Sequence, residues 1–272
     1  MRRQQHVNQS WHGAIRKNDA RPLMRIIFSR KGFDTSAGGG PSPIVSGKPL
    51  SLPIPAQGEN GAASRTTYGD LGLGDLAAKA SRGRLGAGDL CHHDPMFLDD
   101  QTCAFGQHSA AQTHLERQGV SLGDVFVFFG LFAEEETGEP HHRIFGYLRV
   151  EEIVHLSDGV PDELVAVSHP HALEMHSRND CVWRGEGVTA HRASEALRLT
   201  VPGGPPSLWQ RPEWLKRGGL SYHDREDRWM RGSKGQKRLR SVARGQEFVA
   251  NIGRRKAPRE WLECILAEIK AS

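Results

Sequence analysis

The chain has 272 residues, 37% hydrophobic and 25% charged, with a formal net charge of +4, a pI near 9.0 and a mean hydropathy of -0.54. That length buries a full core, and the absence of any run near the ~20 apolar residues of a membrane span argues against a transmembrane helix. The modest excess of positive charge favours an anionic partner.

Taken in chain order, residues 1–23 are polar and aperiodic, and the basic start Met1-Arg2-Arg3 leads into no apolar segment. A secretory signal is not expected there. Residues 1–23 read as a disordered tail, with Met24 as a second candidate start, ahead of one domain over 24–272. Ile26-Ile27-Phe28 reads as a buried strand that breaks into Ser29-Arg30-Lys31-Gly32-Phe33-Asp34-Thr35-Ser36-Ala37-Gly38-Gly39-Gly40. Cations and side-chain-poor backbone at the mouth of a strand suit an anion or nucleotide. Neither a Walker loop nor G-x-G-x-x-G is present, and a structural turn is the competing reading.

Residues 37–66 are rich in Gly, Pro and Ser, and alternating prolines argue against helix and central strand alike. Leu50, Leu52 and Ile54 suggest an extended segment packed on the surface. A polar helix is expected over 68–85, weakened by Gly72 and Gly74, then a loop at Cys91-His92-His93-Asp94-Pro95 and a helix from Ala110 to Gln118. Val125-Phe126-Val127-Phe128-Phe129 predicts a buried strand. An acidic turn and His142 to Val150 complete a hairpin with it. Its Gly123-Asp124 entry and Phe145-Gly146-Tyr147 return resemble small β-barrels of the PUA type. A short helix over Glu213–Leu220, a strand at Gly245–Val249 and an amphipathic helix from Pro258 to Leu266 close the chain. Strands and helices mix without regular βα alternation, so the fold class is α+β, with a mixed or antiparallel sheet, a PUA-like barrel portion and peripheral helices. Cys91, Cys103, Cys181 and Cys264 lack C-x-x-C spacing and suit reduced thiols in a cytoplasm.

Several segments together resemble the nucleotide modification associated domain 3 family, found near DNA-modification genes of phages and bacteria. They are Phe28 to Asp34, Gly39-Gly40-Pro41-Ser42-Pro43-Ile44, His93-Asp94-Pro95, Gly123 to Phe126 with Phe128-Phe129-Gly130, and His169-Pro170-His171. Asn179, Leu220-Ser221-Tyr222 and Gly245-Gln246-Glu247-Phe248-Val249 continue the match. The resemblance spans about residues 24 to 266. It implies participation in nucleotide or nucleic-acid base modification, alongside partner enzymes of a modification system.

The residues suggest roles within such a site. His93 with Asp94, together with His169 and His171, are candidates for general acid–base work, since an imidazole near neutrality oriented by a carboxylate can move a proton. Arg30 and Lys31 would hold phosphate, with Ser29, Ser36, Gly39 and Gly40 shaping the loop. Asp34 would contact a ribose hydroxyl, act as acid or base, or cap its own loop. Asn179 would position the reacting group, Tyr222 would stack on a base, and Gln246 and Glu247 would read a base edge. Lys234 to Arg244 would track a phosphate backbone. Fourteen histidines is a high count. His92, His108, His114, His141 and His142 extend the list of imidazoles, but no H-E-x-x-H, H-x-E or facial-triad spacing appears among them. No metal is expected, and the cofactor is unknown. The favoured reading is a DNA-related nucleotide- or base-modifying protein, as an enzyme a transferase rather than a hydrolase. The alternatives are a non-catalytic PUA-like reader of modified nucleic acid and an accessory subunit.

Overall fold

The structure is a computed structural model that describes residues 23–56, 63–134, 137–232, 235–243 and 247–271. Apart from Leu23, the expected tail 1–23 lies outside the described residues, as do Gln246 and, from the basic stretch, Lys234 and Arg244. The strands in chain order are β1 (Met24–Arg30), β2 (Ser42–Val45), β3 (Lys48–Pro49), β4 (Ile54–Pro55), β5 (Cys91–His92), β6 (Met96–Phe97) and β7 (Thr102–Gln107). They continue with β8 (Val125–Glu134), β9 (Pro140–His155), β10 (Cys181–Glu186), β11 (Leu208–Gln210), β12 (Trp229–Arg231), β13 (Lys237–Arg240) and β14 (Glu247–Gly253). The helices are α1 (Gly74–Ser81), α2 (Ser109–Arg117), α3 (Asp162–Ala166), α4 (Pro170–Leu173) and α5 (Lys256–Ala271).

The organising strand is β8, buried at every position but its last. Such an apolar run needs cover on both faces, and the chain supplies it. Ile26, Phe28, Val127 and Phe129 face α5 through Leu262, Ile265, Leu266 and Ile269. Ile27, Phe126 and Phe128 face Phe105, Leu115 of α2 and Trp183. The main sheet runs β14-β1-β8-β9-β10-β7-β6, with β2 and β3 attached beside β8. β1 and β2 pair with β8 in parallel and the other ladders are antiparallel. The fold is α+β, a mixed sheet curled into a half-barrel with few helices. No helix among the described residues is long and apolar enough to cross a membrane.

One feature of this topology positions the site. β1 leaves β8 where Arg30 pairs with Phe129, and β2 returns to the same edge where Ser42 pairs with Phe132. Residues 31–41 are therefore an excursion from a single sheet edge, held at its exit by the Lys31 N–H donating to the Phe129 carbonyl at 2.8 Å.

The structure departs from the expected elements in three places. The helix expected over 68–85 is confined to α1, because Gly72 (φ 67°) precedes it and Arg82 enters the left-handed region (φ 59°) after it. Glu213–Leu220 forms turns rather than a helix. Pro212 and Gly218-Gly219 bracket it, and Arg211 donates to the Leu215 carbonyl that a helix would give to its own backbone. Within 37–56, where the alternating prolines argue against a central strand, residues 42–45, 48–49 and 54–55 pair as short strands, and β2, with Pro43, lies between β3 and β8.

Behind β8, Trp209 Nε1 donates to His142 Nδ1 at 3.0 Å, which requires an unprotonated Nδ1. Burial, reinforced by the Arg30 charge, pushes the His142 imidazole down to about 4. Its folded value lies below the ordinary ~6.5, so the stability it contributes is present above that value and is lost as pH falls toward 4, by at most ~3 kcal/mol. Urea unfolding from pH 7.5 to 4.5 should show a shallower fall for His142→Gln, whose amide oxygen still accepts from Trp209. Equal slopes for wild type and variant would remove His142 as a cause.

Candidate functional site

The excursion after β1 is braced by its own carboxylate. Asp34 Oδ1 accepts from Ser36 N at 2.7 Å, Ser36 Oγ at 2.7 Å and Ala37 N at 2.8 Å, while Oδ2 pairs with Arg30 Nη2 at 3.0 Å. Burial alone would raise the Asp34 pKa. The hydrogen bonds from Ser36 and Ala37 and the Arg30 charge outweigh it and hold the group below the usual carboxylate value. The glycines beyond serve packing against the chain itself. A Cβ on Gly40 would lie 2.5 Å from the Ala80 carbonyl oxygen of α1, and one on Gly39 (φ 98°) would strike the Arg84 guanidinium. Gly38 and Gly39 line a separate cavity of about 360 Å³ with Arg84 and Leu85.

Beneath the loop lies a buried polar node. Glu247, 2% exposed, accepts through Oε1 from Ser29 Oγ at 3.3 Å, Lys31 Nζ at 3.2 Å and Gln107 Nε2 at 2.9 Å. Lys31 Nζ also sits 4.1 Å from the centroid of the Phe105 ring. Three donors on one oxygen and an aromatic face satisfy a carboxylate that would otherwise be costly to bury.

The opposite wall is built of imidazoles. β5 pairs with β4, setting Ile54 beside His92, and the chain then turns so that Asp94 Oδ1 accepts the Gly106 N–H at 2.8 Å. α4 brings His171 against β7, where its Nδ1 lies 2.5 Å from Asp180 Oδ1, and Asp180 Oδ2 accepts from the His176 N–H at 2.7 Å. The His171 ring centroid is 5.4 Å from His92, 5.6 Å from His108, 5.8 Å from His169 and 4.6 Å from His176. Burial pushes His92 down to about 3 and lowers His171 and His176 as well. Burial would raise Asp94, but the neighbouring imidazoles, His169 foremost at 3.5 Å, hold it well below the carboxylate range. His92, Asp94 and His171 present one ligand atom each within 4.8 Å of one another, and so do His171, His176 and Asp180.

These two walls enclose one cavity of about 210 Å³. Arg30, Lys31, Asp34 and Ser36 line it from the loop, His92, Asp94 and His171 from the imidazole wall, and Gly106, Gln107 and His108 from the end of β7. The structure thus brings together Arg30, Lys31, Asp34, Ser36, Asp94 and His171 from the expected set. The other described residues of that set do not line it. His93 lines another cavity with Pro95 and Phe97, because β5 ends at His92 and the chain turns tightly there, the Asp94 N–H donating to the His92 carbonyl at 2.9 Å across His93. His169 is fully buried behind the wall against Asp94, and Ser29 and Glu247 lie beneath the cavity floor. Asn179 is spent on stapling the start of α2: it accepts from Ser109 N and Ser177 Oγ and donates to Ser109 O and Thr113 Oγ1. Tyr222, half exposed with φ 64°, packs on His114 at 4.5 Å between ring centroids and lines no part of this cavity. Lys237–Arg240 of the basic stretch form β13, in a separate small sheet.

Gln107, His92, His108 and Asp180 are site residues that the sequence reading left without a role. The expectation that no facial-triad spacing appears is corrected here: His92-x-Asp94 with the distant His171 is a two-histidine, one-carboxylate spacing. Asp180 had no such signal, since its partner His171 is reached only through the turn after α4. A larger cavity, about 570 Å³, lies elsewhere, against Phe28, Trp209, Trp214 and Trp261, and no histidine lines it.

Compared with known families, residues 25–251 match nucleotide modification associated domain 3. No curated protein and no solved structure matches the chain.

Proposed function

Because the chain belongs to the nucleotide modification associated domain 3 family, we propose that it modifies a nucleotide or a base of DNA, with the reacting group held in the cavity between the 30–37 loop and the imidazole wall. The observation that carries this is the shared lining: a guanidinium and a braced, hydroxyl-bearing loop on one side, His92, Asp94 and His171 on the other. Arg30 offers a fork suited to phosphate oxygens once it exchanges Asp34 for the ligand. A cavity of about 210 Å³ is smaller than the ~300–1,000 Å³ that encloses a whole small molecule. One moiety of the nucleotide enters and the remainder stays outside. Were the substrate polymeric DNA, the reacting base would leave its stack to enter, as in other base-modifying enzymes.

Lys31 has a different role from the phosphate ligand it resembles in sequence. Its charge is committed to Glu247, so it shapes the floor while Arg30 meets the anion.

The test is mass spectrometry of DNA nucleosides from cells with the gene, without it, and with Arg30→Ala or His171→Ala in its place. A modified nucleoside present with the wild type and lost in the other three is the expected result. Identical nucleosides in all four would overturn the modification reading. Nucleotide binding retained by His171→Ala but weakened about tenfold or more by Arg30→Ala would separate reaction from recognition.

A further inference from the structure

We propose that this cavity holds a divalent first-row transition-metal ion, ligated by His92, Asp94 and His171. Their ligand atoms lie within 4.8 Å of one another. Donors on one ion at ~2.0–2.2 Å stand roughly 3.0–3.5 Å apart, so a side-chain shift of about 1 Å closes the set. Two imidazoles and one carboxylate are a donor set for zinc, ferrous iron or manganese rather than for calcium or magnesium, which take oxygen ligands.

Three further observations point to an ion. His92 is 9% exposed, and its Nδ1 is buried without a hydrogen-bond partner among the described residues. A buried ring nitrogen left unpaired is costly, and metal ligation removes that cost. His171 is oriented as metal-binding histidines are: with Asp180 Oδ1 at 2.5 Å accepting from Nδ1, the lone pair is placed on Nε2. Asp94 is likewise fixed through one oxygen by the Gly106 N–H, which leaves Oδ2 for an ion.

The alternative set of His171, His176 and Asp180 fits less well. Both Asp180 oxygens are already engaged, one by His171 and the other by the His176 backbone. Asp180 is a positioning residue, and the ion belongs on the cavity side of His171. Three protein ligands leave coordination positions open toward Arg30, Ser36 and Gln107, the arrangement of a reactive rather than a structural site. A dication facing one carboxylate leaves the site positive, in keeping with an anionic substrate.

The inference concerns the cavity of the proposed function but is tested without nucleotide, so the two readings fail separately. Untagged full-length chain, stripped with chelator, is titrated with Co²⁺, Zn²⁺, Mn²⁺ and Mg²⁺. Calorimetry and the cobalt d–d absorption serve as readouts, and far-UV circular dichroism confirms folding of every variant. The expected result is about one equivalent of Co²⁺ or Zn²⁺, with no comparable uptake of Mg²⁺. His92→Ala and Asp94→Asn should abolish the cobalt spectrum, and Asp180→Asn should weaken affinity about 10–100-fold. His93→Ala should bind as wild type, since its ring belongs to neither ligand set. Wild-type chain without saturable uptake would overturn the proposal. So would wild-type affinity in His92→Ala, or loss in His176→Ala alone, the latter assigning the ion to the other set.

Discussion

Lys31→Ala is expected to destabilise the chain by about 3–5 kcal/mol, the cost of leaving a buried carboxylate without its cation. Lys31 is 10% and Glu247 2% exposed at the side chain, with Nζ and Oε1 3.2 Å apart. The substitution also removes the ammonium from the Phe105 ring, 4.1 Å away, while the Ser29 and Gln107 donors remain and keep the loss from being larger. Arg30→Ala serves as the contrast. Its pair with Asp34 is 26% and 19% exposed, so water already screens it and the loss should stay under about 1 kcal/mol. Equilibrium urea unfolding of the two variants reads the difference directly. Lys31→Met combined with Glu247→Gln should recover most of the lost stability, because no unpaired charge is then buried. A cost below about 1 kcal/mol for Lys31→Ala would mean that the node contributes nothing of the kind.

Gly106→Ala should disable the site without touching a side chain in it. A Cβ at this position would overlap the His171 ring, reaching 2.6 Å from Nε2. Residue 106 is paired in register with Val182, one position from the end of the β7–β10 ladder, and its N–H is held by Asp94 Oδ1 at 2.8 Å, so the ring yields before the strand does. Moving the ring breaks the 2.5 Å contact with Asp180 and takes Nε2 out of the cavity. The expected cost in stability is about 1–3 kcal/mol, as for overpacking elsewhere. Nucleoside modification should fall as far as in His171→Ala. The combination of Gly106→Ala with His171→Ala gives the decisive reading. Removing the ring opens room for the new methyl, so stability should partly return while activity stays absent, a non-additive outcome expected of residues in contact. Full activity in Gly106→Ala would show that the position of His171 does not matter.

Much of the fold is legible in the order of residues. Val125 to Phe132 is apolar at nearly every position, and only a strand covered on both faces accommodates that. α5 shows its buried stripe at Leu262, Ile265, Leu266 and Ile269, spaced for one helix face. The 213–220 segment failed because a local helical tendency was overruled by a side chain, Arg211, that reaches a carbonyl the helix would need. Within the site, the loop after β1 was readable as a polar, side-chain-poor bend, since charge and glycine content are local properties. That Lys31 turns inward to Glu247 was not readable, because the two are 216 positions apart and meet only through β1–β14 pairing.

Local chemistry, then, was enough to establish the α+β class, the central hairpin, the family likeness and the candidate loop. These depend on hydrophobic period, turn residues and short motifs, all of which act over a few neighbouring positions. Which histidine faces the loop depended on the assembled sheet. His92 and His93 are adjacent and chemically identical, yet β4–β5 pairing holds His92 where it meets His171 across the cavity, and the tight turn that follows carries His93 to a different one. Pairing register and burial are long-range quantities, and they alone converted a chain rich in imidazoles into a wall of specific ones.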